Sequence, residues 1–71
     1  MWLLIIDNNK HILVCDYFPD AFLFEVIAMY LEEDGIYGED RDIALKAFQN
    51  GTTFMQSKNY TFTLIEADEA I

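Results

Sequence analysis

Seventy-one residues with thirteen acidic and four basic side chains, a net charge of -9 and 54% hydrophobic residues describe a small apolar core under a strongly negative surface. Such a chain supports one domain, 1–71, and stays near the lower size limit for an autonomous core, since it buries only ~60% of the surface its unfolded form exposes. Only Lys10, Arg41, Lys46 and Lys58 are available to displace counterions from phosphates, so direct binding of nucleic acid is excluded, and the charge opposes docking on anionic membranes.

The opening apolar residues 2–6 stop at Asp7 and have neither a basic leader nor a small-residue cleavage site, which predicts a strand and not a signal peptide. No apolar run approaches the ~20 residues that span a bilayer. With a single cysteine, Cys15, no internal disulfide forms, and the expected setting is a reducing cytoplasm, bacterial or that of an infected host cell. A second apolar run, 12–15, follows Asp7-Asn8-Asn9-Lys10, and Asn8-Asn9 as a two-residue loop predicts an antiparallel hairpin. That loop sets Ile6 against His11, Leu4 against Leu13 and Trp2 against Cys15, with Leu3, Ile5, Ile12 and Val14 on the other face. Both faces are then apolar, so the hairpin is either covered twice or keeps one face for a partner.

Phe18-Pro19 precedes a first helix, with Asp20 as its cap, running to about Glu33 and ended at Gly35. Its apolar residues cover most of the circumference, leaving Ala21, Glu25, Met29 and Glu32 as the strip facing water. Residues 32–42 read as an exposed two-glycine loop with six carboxylates, Glu32, Glu33, Asp34, Glu39, Asp40 and Asp42, and one arginine. A second helix over about 40–49 places Ile43, Ala44, Ala47 and Phe48 inward and ends at Asn50-Gly51. Thr and apolar residues alternate over 60–65, the pattern of a half-buried strand, and 52–56 are its hairpin partner across Ser57-Lys58-Asn59. Residues 66–71 form an acidic tail. The expected fold is α+β: an antiparallel sheet of three to four strands with two helices, in the order ββααβ or ββααββ.

No arrangement for catalysis is recognised. His11 and Cys15, four apart on a strand, stand ~13 Å from each other and cannot share a proton. The acids of 32–42 lack the alternating pattern of a calcium loop and would repel phosphate from Gly35 and Gly38, so no metal or cofactor is expected. The leading expectation is a small acidic inhibitor or modulator that docks Glu32, Glu33, Asp34, Glu39, Asp40 and Asp42 on a basic protein surface. Tyr37, between the two glycines, is the aromatic anchor. A nucleic-acid-binding enzyme is one such partner, because rows of carboxylates at 32–42 and 66–69 imitate the phosphate charge of a duplex. In size and charge alone, the chain resembles small phage-encoded inhibitors, including DNA mimics that block host or defence enzymes. The alternative is a self-associating assembly protein, a homodimer that buries the first hairpin and the apolar first helix.

Overall fold

A computed structural model describes residues 1–66 of the protein. The elements follow the order ββααββ: β1 (Trp2–Asp7), β2 (Ile12–Phe18), α1 (Asp20–Glu33), α2 (Gly38–Gln49), β3 (Phe54–Gln56) and β4 (Thr61–Glu66). They build the expected α+β architecture. The four strands are ordered β2-β1-β4-β3 and every neighbouring pair is antiparallel. β4 runs beside β1, with Leu4 opposite Leu64 and Ile6 opposite Phe62, so both ends of the described chain meet at the centre of the sheet.

Side chains alternate along strands, and the fully covered positions Leu4, Ile6, Phe62 and Leu64 therefore all lie on one face. Against them pack Leu23, Ile27 and Leu31 of α1, spaced by four residues along one side of that helix, and Phe48 of α2. Both helices thus cover the same face of the sheet. Phe48 and Phe62 meet edge to face at 6.2 Å, and Tyr60 stacks at right angles on Tyr30 at 5.4 Å, closing the core at the β3–β4 turn.

The hairpin register differs from the expected one. The turn has four residues, Asn8 to His11, because side chains in it satisfy backbone donors that a two-residue loop would place elsewhere. Asn8 Oδ1 accepts from the N–H groups of Lys10 and His11 at 3.0 and 2.8 Å, and Asp7 Oδ1 accepts from Asn9 N–H at 3.0 Å. Asn9 takes φ +72°, which asparagine tolerates. Asp7 then faces Ile12, a bulge follows, and Ile6 faces Val14, Leu4 faces Asp16 and Trp2 faces Phe18. Relative to the expected pairs the far end of β2 has slipped by three residues, an odd number, so all its side chains change faces. Val14 and Phe18 join the core side, and Cys15 and Tyr17 join the opposite side.

Several boundaries also move. Pro19, not Asp20, occupies the cap of α1 and makes no side-chain cap bond; its carbonyl accepts from Phe22 and Leu23, and Asp20 begins the helix. α1 ends where Gly35 predicts: Gly35, at φ +83°, donates to the Glu32 carbonyl and Ile36 donates to that of Leu31. This is a Schellman motif in which Ile36 packs back on the core. α2 starts at Gly38, so the expected loop 32–42 shrinks to residues 34–37, and its acids belong mostly to helix ends. On α2, Ile43 is exposed while Ala44 and Leu45 face the core. Glu66 closes β4 opposite Trp2 instead of opening a tail; the rest of that tail, with Asp68 and Glu69, falls outside the described residues.

Candidate partner-binding surfaces

The seven residues expected to bind a partner lie on the end of α1, the short connection and the start of α2, and they divide into two groups. Three carboxylates are engaged within the protein, two of them across elements and Asp42 with its chain neighbour. Arg41 Nη1 donates to Glu32 Oε2 at 2.6 Å, and its Nη2 reaches Asp42 Oδ1 at 3.5 Å. The Glu32 hydrogen bond, ahead of the charges of both acids, raises the guanidinium pKa above its ordinary value. Asp34 reaches across to the β3–β4 turn, where it accepts from the backbone N–H of Asn59 at 2.9 Å and from its side-chain amide at 2.6 Å. Burial by itself would raise the Asp34 pKa. Hydrogen bonds from Ser57, from both groups of Asn59 and from the Lys58 backbone outweigh it and bring the carboxyl below the usual range.

The other group is turned outward. Tyr37 caps α2 with its backbone, makes no side-chain cap bond, and is 63% exposed. Glu39 and Asp40, in the first turn of α2, are exposed, as is Glu33. The negative ends of Glu39 and Asp40 also suit the positive end of the helix dipole. Glu33 lies near Tyr60, whose pKa rises through burial first and then through the charges of Glu33 and Asp34. Tyr37, Glu39 and Asp40 are therefore the part of the expected site that is both together and open.

A second surface contains the apolar hairpin that the sequence offered to a partner, extended across the sheet by β3 and β4. The sheet face away from the helices carries Leu3, Ile5 and Asp7 of β1, Ile12, Cys15 and Tyr17 of β2, Phe54 and Gln56 of β3, and Thr61, Thr63 and Ile65 of β4. Among the described residues, no element covers it. Ile12, Tyr17, Phe54 and Ile65 are 65, 55, 58 and 48% exposed, and Asp7 is its one charged residue among those described. The apolar character of both hairpin faces pointed to it, but not to which face stays open; the four-residue turn and the register it sets decide that.

Among the described residues, no group of three or more His, Cys, Asp or Glu is placed to hold a metal ion, and no helix is long and apolar enough to cross a membrane. His11 lies in the hairpin turn and Cys15 is an exposed residue in mid-strand opposite Ile5. A cleft of about 190 Å³ between Trp2, Asp20, Leu23, Phe24, Phe48, Gln49 and Leu64 is smaller than the ~300–1,000 Å³ usual for small-molecule sites. No protein-family model matches this chain, and neither a curated protein nor a solved structure resembles it significantly.

Proposed function

We propose that the protein is a small non-catalytic binding protein that engages a basic surface of a partner with the acidic side of its helical layer. The observation that carries this reading is the segregation of charge. Eight carboxylates, Asp20, Glu25, Glu32, Glu33, Asp34, Glu39, Asp40 and Asp42, fall on the two helices and their connection, whereas the open sheet face carries Asp7 alone. Tyr37 stands exposed beside Glu39 and Asp40, where a rigid aromatic ring supplies contact area and the carboxylates supply attraction. A partner built to hold a phosphate backbone, such as a nucleic-acid-binding enzyme, presents the complementary basic groove. Binding then competes with nucleic acid and inhibits the enzyme.

The test is affinity capture of the tagged protein in lysate of its source cells at low and at high salt, with mass spectrometry of the retained proteins. A nucleic-acid-binding enzyme held at low salt and shed at high salt, and displaced from its DNA or RNA by the purified protein, supports the reading. Retention that ignores salt, or a captured partner that keeps its nucleic acid, overturns it.

A further inference from the structure

We propose that the uncovered sheet face is a self-association surface: a second copy packs on it face to face, giving a four-layer helix–sheet–sheet–helix dimer. The proposal stands on a different set of residues from the acidic helical side and does not depend on it.

Tyr17, Leu3 and Ile65 line up across β2, β1 and β4 as one apolar row, and Cys15, Ile5, Thr63 and Phe54 form the next, with no charge in either. A face whose two central rows are uncharged and whose one charge, Asp7, sits at the end of β1, on a chain of net charge -9, is matched by another apolar surface and not by a basic one. The helical side differs, because its exposed Phe22, Met29 and Ile43 are interleaved with carboxylates. Four strands at ~4.8 Å spacing and six residues at ~3.3 Å rise give a footprint of about 19 by 20 Å. With side-chain relief counted on both copies, roughly 1,000 Å² is removed from water, the lower bound for a specific interface.

Two features select the face over the sheet edges. β2 is an edge strand, and it carries a bulge next to Leu13 and an acid, Asp16, on its core side, both of which obstruct strand-to-strand pairing. The other edge, β3, is three residues long. The edges are blunted and the face is not. Charge points the same way. Face-to-face packing, with sheets ~10 Å apart and helices outside, holds the two acidic layers about 30 Å from each other, well beyond the ~8 Å Debye length at physiological salt. Packing helix to helix would instead press the carboxylates together.

The test is sedimentation velocity of the full chain from low to high micromolar concentration, at low and high salt, with iodoacetamide alkylation of Cys15 as a second reading. The proposal expects a dimer that persists or tightens at high salt, and a Cys15 alkylation rate that falls as concentration rises. Tyr17→Lys and Ile65→Lys, checked as folded by circular dichroism, should each weaken the dimer by more than about tenfold. Phe22→Lys, an equally exposed apolar residue on the helical side, should leave it unchanged. A monomer across the whole range overturns the proposal and leaves the acidic-surface reading standing. A dimer that survives both sheet-face substitutions, or that is lost with Phe22→Lys, overturns it as well.

Discussion

Asp34 joins two segments that are twenty-five positions apart, the end of α1 and the turn between β3 and β4. Nothing near it in the chain announces this role, because the partner, Asn59, arrives only when the sheet has formed. Asp34→Ala should lower stability by about 1 kcal/mol, or about 4–8 °C in the melting temperature. Its pH dependence has a definite sign. The folded carboxyl is more acidic than the unfolded one, so the unfolded chain binds more protons and stability rises with pH through that range. The contribution is complete at neutral pH and is lost as pH falls below the ordinary carboxylate range, so wild type and Asp34→Ala should converge in strong acid; thermal melts over a pH series check this. Tyr37 is the opposite kind of residue. Its exposed ring caps nothing, so Tyr37→Ala should leave the urea midpoint within ~0.5 kcal/mol of wild type while weakening capture of the basic partner about tenfold or more. Loss of fold, or unchanged affinity, would remove Tyr37 from the binding surface.

Among the elements, α1 gives the largest single share of the core, since Leu23, Ile27 and Leu31 are fully covered and face the central strands. Ile27→Ala should cost about 2–5 kcal/mol, a large part of the roughly 4–10 kcal/mol expected of a chain this size, and urea denaturation measures it. Gly35→Ala isolates the end of the helix. An added methyl group meets nothing within 4 Å, yet φ +83° is strained for any residue with a Cβ, so a loss of about 1 kcal/mol should come from the backbone alone. The two ends of α1 were legible in the sequence because Pro19 and Gly35 act through their own backbone. The β3–β4 hairpin was legible for a similar reason, its alternation of Thr with apolar residues. The register of β1 with β2 was not legible. It depends on whether Asn8 and Asp7 turn their side chains onto the backbone of the loop, and that choice sends Val14 inward and Tyr17 outward. The start of α2 was hidden by Gly38, a poor helix former that nonetheless opens the helix.

At the scale of the molecule the protein is polarised: one sheet, one helical layer on one side of it, and an extent of 17 Å along the shortest axis. The acid count was plain in the composition, but its distribution was not. Arg41 draws Glu32 and Asp42 into ion pairs and Asn59 takes Asp34, which leaves Tyr37, Glu39 and Asp40 as the open core of the acidic side. The open sheet face became visible only when the strand order and register were fixed. The proposed function puts the basic partner on the helical side and leaves the sheet face out of that contact. The most direct test compares capture of the basic partner by wild type, by a Glu33→Gln, Glu39→Gln, Asp40→Gln triple variant and by Ile65→Lys, all folded, at low salt. The triple variant should lose the partner and Ile65→Lys should retain it. Retention by the triple variant together with loss in Ile65→Lys would contradict the proposed function and move the partner to the sheet face.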